Sequence, residues 1–222
     1  MSATRSPRRS EDGRAARARS TKARIIAAAT ELFTTHGYAA TSVTAIAAEA
    51  AVGEQTVYYA FGHKRAILSA ALDVAVAGDD EPVPTLDRPW ARAAIADPDP
   101  LAQLRRQVSG AAEILLRAAR LLDVVRSAAI TDPDLAGVWD TNVRQRLTVQ
   151  RVFADALAGK TALRAGLTPE TAADIALATL SPETYNLLVH GRGWSAEQWR
   201  DWALDALTGM LTTLPRPMPP SG

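Results

Sequence analysis

The chain contains no cysteine, which excludes a disulfide framework, a thiol nucleophile and a thiolate metal site, and suits a reducing compartment. Aromatic residues make up only 5%. Its three histidines, His36, His63 and His190, lie far apart, and none pairs with a second ligand at metal-binding spacing on one helix face. No phosphate loop, dinucleotide fingerprint or nucleophile elbow occurs, so neither a metal, nor a cofactor, nor enzymatic chemistry is expected. No apolar run reaches the roughly 18 residues of a membrane span, and no apolar core follows the Arg-rich start as it would in a signal peptide. The expected address is the cytoplasm, with no membrane partner. Proline is absent between Pro7 and Pro82, between Pro100 and Pro133, and between Pro182 and Pro215, leaving three stretches in which helices can run uninterrupted.

What is abundant is alanine, 45 of 222 residues. Alanine favours helix and disfavours strand, so the composition points to an all-α fold. The net charge of +1 hides an asymmetry: residues 1–24 carry +6 and the other 198 carry −5. A basic arm on a mildly acidic chain suits contact with a polyanion at one end. Residues 1–20 are read as a disordered basic arm, because so hydrophilic a stretch cannot form a core.

A first helix is expected from Thr21 to Gly37, with Ile25, Ala28, Ala29, Leu32 and Phe33 at helical spacing and Gly37 as a left-handed stop. Thr41 or Ser42 can cap a second, short helix whose stripe is Val43, Ile46, Ala47 and Ala50. Ala51, Val52 and Gly53 make a tight turn into a third helix, Glu54 to Phe61, with Val57 and Phe61 inward. Two short helices around such a turn are a helix-turn-helix. A fourth helix follows from about His63 to Ala77, with His63 at its cap. The organisation expected is thus an arm over 1–20, a helix-turn-helix domain over 21–68, a larger helical domain over 69–214 and a frayed tail over 215–222.

Gly78 to Pro100 reads as a connector with a short helix around Trp90 to Ala96. Beyond it, Asp99-Pro100, Asp132-Pro133, Thr168-Pro169 and Ser181-Pro182 each set a capping side chain before a proline at the first helical position. Ser195 to Gln198 forms a capping-box pattern opening a helix to about Leu214. That last helix is apolar around most of its girth, which requires cover from more than one neighbour.

The run from Gly37 to Leu68 carries Gly-Tyr, Thr-Ser-Val, Ile-Ala-x-x-Ala, Val-x-x-x-Thr-Val-Tyr, Phe and Lys landmarks in order. In this it resembles the DNA-binding domain of the tetracycline-repressor (TetR) family of bacterial transcriptional regulators. The match covers roughly residues 20–70, and the length and helical remainder also look like that family. Two positions depart from its pattern: Ala51 stands where a turn Gly is usual, and Gly53 where a Ser often contacts phosphate. The resemblance implies that Thr41, Ser42, Thr44, Tyr58 and Lys64 hold the DNA backbone. It implies that Glu54, Gln55, Thr56 and Tyr59 read bases, Gln being suited to adenine and the Thr methyl to thymine.

The family's usual homodimer is built by the last two helices, which would place Trp199, Ala203, Leu207 and Leu211 at the interface. The alternative is a helix buried wholly within one subunit. For an effector, the stripe Leu135, Trp139, Asn142, Arg146, Val149, Phe153 on the helix from 133 to 158 is interrupted by two polar residues. A bound molecule or a hydrogen bond to a neighbouring helix could satisfy them. Trp139, Asn142, Arg146 and, more faintly, Tyr185 are the candidate ligand contacts. The expected function is a regulator, of repressor type, that leaves a palindromic double-stranded operator when a small-molecule effector binds. A helical interaction protein without ligand and an unrecognised all-α enzyme are the alternatives.

Overall fold

The computed structural model describes residues 7–78 and 83–215. Its contacts divide the chain into two compact units, Met1–Leu72 and Asp73–Gly222, so the division falls inside the fourth helix and not at residue 68. Among the described residues there is no strand, only an isolated antiparallel bridge between Leu163 and Thr212.

In the first unit α1 spans Pro7–Ala40 and is broken at Gly37, whose φ of 79° leaves the helical region. The disorder expected for the arm is not found over residues 7–20, which continue α1; residues 1–6 lie outside the described residues. Propagation explains the difference. Once the segment around Ile25, Ala29 and Phe33 is buried, each added Ala or Arg extends an existing helix and avoids the cost of nucleation. The helices α2 (Val43–Glu49), α3 (Glu54–Phe61) and α4 (Lys64–Ala77) follow. α1 packs on α2 and α2 on α3, with Ile46, Ala47, Val57, Ile67 and Leu68 buried.

Ala51 turns α2 into α3 with a φ of 50°. An L-residue with a Cβ is strained in this left-handed region by about 1–2 kcal/mol. Ala51→Gly is therefore expected to raise stability by about 0.5–1 kcal/mol after allowing for the greater freedom of glycine in the unfolded chain. Thermal unfolding of the full chain, followed by circular dichroism, checks this; a lower midpoint would refute it.

In the second unit a single 3-10 turn, Thr85–Asp87, precedes α5 (Pro89–Ala96). Then come α6 (Pro100–Ala128), α7 (Pro133–Ala158), α8 (Pro169–Thr179), α9 (Pro182–Tyr185) and α10 (Ala196–Leu211). The Pro-marked starts of α6 to α9 are capped by the side chain ahead of each: Asp99 on Leu101, Asp132 on Asp134 and Leu135, Thr168 on Thr171 and Ser181 on Thr184. Ser195 and Gln198 close a reciprocal capping box. α9 gives way at Asn186 to a wider π-helical turn through Gly191. The length of α10 differs from expectation: it stops at Leu211 because the chain turns there to let the Arg164 amide donate to the Leu211 carbonyl at 2.8 Å. Of the tail expected to fray over 215–222, only Pro215 is among the described residues.

α10 is enclosed by α6 and α8. The alanines Ala172, Ala173 and Ala176 of α8 are buried in the same cluster as Trp199, Ala203, Leu207 and Leu211. Thr208 of α10 and Thr212, which caps its end, are buried too. Their hydroxyls donate to the Leu204 and Thr208 carbonyls one turn back, at 2.7 and 2.9 Å, so both buried hydroxyls are paired. Between α6 and α7 runs a buried polar seam, in which Gln107 donates to Gln150 at 2.7 Å and Gln103 to the Phe153 carbonyl at 2.8 Å.

Candidate nucleic-acid interface

The side chains that could meet DNA sit on two short helices. Ser42 caps α2, its Oγ accepting from the Ala45 amide at 3.0 Å, and Thr44 is exposed one turn in. Gly53 starts α3 without a side-chain cap. Buried Val57 fixes the rotation of α3, and the other face then carries Glu54, Gln55, Thr56 and Tyr58, all exposed, with Tyr59 95% exposed. A large aromatic ring left this bare gains little from packing in its own subunit, which is the condition of a contact residue.

Two expected phosphate contacts are otherwise engaged. Thr41 is buried, and its hydroxyl donates to the Gly37 carbonyl at 2.8 Å. A phosphate, being an acceptor, would need that same hydrogen. Lys64 donates to the carbonyls of Tyr38 and Thr41, each at 2.8 Å, and its ammonium stands 4.2 Å from the Tyr38 ring centroid. Burial pushes its pKa down. The lysine thus ties the α1–α2 link to the start of α4, with at most one N–H left for another acceptor. His63 caps α4, accepting from the Ala66 amide at 3.1 Å.

One contributor was not legible as such. Arg24, counted in sequence as one charge of the arm, donates to the carbonyls of Ala50 and Ala51. A guanidinium there satisfies carbonyls that the end of α2 leaves open and complements its negative pole. An arginine within α1 gives no local hint of this, because its partners lie 26 and 27 residues away. Arg14, Arg17, Arg19 and Lys22 are exposed on α1.

The expected effector contacts are not among the residues that line the cavity along α6. Arg146 donates through Nε to Asn142 at 2.9 Å and lies over the Trp139 ring at 5.5 Å, so the two polar interruptions of the stripe bond each other within one helix. Tyr185 is fully buried, with its hydroxyl unpartnered among the described residues. A cavity of about 770 Å3 lies along α6, and its lining includes Trp90, Arg105, Gly110, Glu113 and Arg117. A correction also applies to the interface residues: Trp199, Ala203 and Leu207 are wholly buried and Leu211 nearly so inside their own subunit. Among the described residues no three His, Asp or Glu side chains come together as a metal site requires, and no helix is long and apolar enough to cross a membrane.

An exposed recognition helix set on a small helical unit, followed by a larger helical unit, defines the class of helix-turn-helix transcriptional regulators. Residues 25–71 match the family model of bacterial regulatory proteins, tetR family. The solved structure of NalD, the secondary repressor of the MexAB-OprM multidrug efflux pump in Pseudomonas aeruginosa, superposes with a TM-score of 0.63 at 22% identity, over 88% of this chain and 98% of that one. A TetR transcription regulator from Haloarcula marismortui superposes with a TM-score of 0.63 at 16% identity, over 87% and 99%. A TetR-like transcriptional regulator from Rhodococcus sp. RHA1 gives 0.59 at 18%, over 84% and 93%. A comparison with curated proteins gave no match. Residues 25–71 therefore resemble the amino-terminal domain of the tetracycline-repressor family, and the chain as a whole has the fold of these solved transcriptional regulators.

Proposed function

We propose that the chain is a ligand-responsive repressor that binds a palindromic operator as a homodimer and leaves it when a small molecule occupies the carboxy-terminal unit. The observation that carries the DNA-binding part is α3, where Glu54, Gln55, Thr56, Tyr58 and Tyr59 are exposed around the buried Val57. In this reading Gln55, Thr56, Glu54 and Tyr59 meet base edges. Ser42, Thr44 and Tyr58 meet phosphates, and the exposed cations of α1 add charge contacts of no sequence preference.

The dimer face is assigned to large apolar side chains that the subunit leaves open: Leu116 of α6, Leu187 after α9 and Met210 of α10, which are 58%, 62% and 41% exposed. Two copies related by a two-fold axis would present their α3 helices to successive major grooves, about 34 Å apart. The repressor role is the one that the NalD structure's description gives for that protein, and it suits an operator blocked until an effector favours another spacing.

A mobility shift with the DNA flanking the chain's own gene tests the reading. Sequence-selective binding, with protection of two half-sites about one helical turn apart, is the expected result. Binding that is equal on unrelated DNA of the same length would refute the operator, and no binding to either would leave a helical interaction protein.

A further inference from the structure

The cavity along α6 is unbalanced in charge. Among the described residues its lining includes Arg88, Arg105, Arg106 and Arg117 against one carboxylate, Glu113. Arg106 is paired with Asp97 through Nε at 3.1 Å. Arg117 spends its Nε on the Ala75 carbonyl at 3.0 Å, which leaves its two terminal nitrogens. Those nitrogens are held close to the chain, because a Cβ at Gly78 would stand 2.9 Å from Nη2. Neither Arg105 nor Arg117 has a carboxylate partner among the described residues.

The middle of the cavity is different in kind. Gly110 has no side chain, so the Trp90 indole lies directly against α6 where any Cβ would collide with it. The ring is fixed from behind by Phe153, stacked at 6.1 Å with an interplanar angle of 14°. Ile114 extends this apolar wall. At 1.5 Å per residue, Arg106 and Arg117 stand about 16 Å apart on one side of α6, with Gly110 and Trp90 between them. The cavity thus has an apolar floor and guanidinium groups towards its ends.

We infer that the effector of this protein is an elongated, mostly apolar acid, whose carboxylate is held by Arg105 or Arg117 while its body lies on Trp90 and Ile114. The inference rests on the effector-responsive reading proposed above and narrows it to a chemical class. A cation would gain from the indole face but would meet the guanidiniums of Arg105 and Arg117, and a neutral molecule would leave these two without a carboxylate to bond. A carboxylate accepts paired N–H bonds from a guanidinium in a geometry that suits both.

The class is tested by isothermal titration of the full chain with decanoate, decanol and decyltrimethylammonium, which share a ten-carbon body and differ in charge. Decanoate is expected to bind at least about tenfold more tightly than decanol, the difference one charge-assisted hydrogen bond supplies, and the ammonium not at all. Arg105→Gln and Arg117→Gln are examined separately after a melting curve has shown each to be folded. At least one should weaken decanoate about tenfold and leave decanol unchanged. Decanol or the ammonium binding as well as decanoate would overturn the acid class while leaving the cavity as an effector site. Decanoate binding that neither arginine variant changes would place it elsewhere and overturn the inference. Heat from none of the three would overturn it together with the effector role of this cavity, whereas the DNA-binding part of the proposed function stands or falls on the mobility shift alone.

Discussion

Leu207→Asp is expected to unfold the carboxy-terminal unit, not to separate two folded subunits. Leu207 has no exposed surface and lies in the cluster of Trp199, Ala203 and Leu211, with α6 and α8 packed on α10. An aspartate there would lose the leucine's apolar burial and set a carboxylate among apolar neighbours without a hydrogen-bond donor. Those two effects together cost on the order of 5 kcal/mol or more. A domain of this size has about 5–15 kcal/mol of stability in all, so the variant should be recovered as aggregate or lose its cooperative melt. Leu187→Asp is the contrasting case. Leu187 is 62% exposed, so its substitution should leave helical content and melting nearly unchanged while light scattering falls from the dimer to the 23.6 kDa subunit. A folded, monomeric Leu207→Asp would refute the assignment of Leu207 to the subunit core. An unmodified chain that scatters as a stable monomer would refute the dimer itself.

Gln55→Ala and Lys64→Ala should both weaken operator binding, for different reasons that two measurements separate. If Gln55 pairs with a base edge, its removal costs about 1–3 kcal/mol on the cognate site and little on unrelated DNA, so sequence preference relaxes. Because the side chain is exposed, the melting curve should not move. Lys64 holds two carbonyls across the α1–α2 link, and losing both bonds should cost about 1–3 kcal/mol of stability. Binding to all DNA then falls, but the slope of log affinity against log salt stays as it was, since no phosphate contact has been removed. A slope reduced by about one per subunit with an unchanged melt would show that Lys64 is a phosphate ligand after all.

The helix starts of the second unit could be read directly because a cap is a local bond. Asp99, Asp132, Thr168, Ser181 and Ser195 each accept from an amide two or three residues ahead, so the signal and its partner lie in one short window of sequence. The turn of the helix-turn-helix was legible for the same reason. The buried stripes of α1 to α4 followed from 3.6-residue periodicity, and Val57 by itself settled which face of α3 is open.

Long-range partners were not legible. The resemblance sets Lys64 against a phosphate, yet the lysine bonds carbonyls 23 and 26 residues away. Asn142 and Arg146 read as polar groups in search of a ligand, although they were four residues apart and could bond each other. That choice depended on side-chain rotamers that periodicity does not specify. The wide apolar girth of α10 required several neighbours, but sequence had no means of distinguishing α6 and α8 of the same subunit from a second copy.

The sequence by itself determined that this protein is all-helical, that a helix-turn-helix lies near its amino terminus, and where most of its helices begin. Composition, periodicity and capping are properties of short windows, and they need no knowledge of what packs against them. Tertiary structure decided which side chains remain open: that Thr41 and the α10 leucines are enclosed, that Tyr59 and Leu187 are not, and that Trp90 and a set of arginines share a cavity along α6. Those outcomes depend on which helix faces meet. Contact between distant segments is fixed only when the whole chain minimises its exposed apolar surface and pairs its buried polar groups.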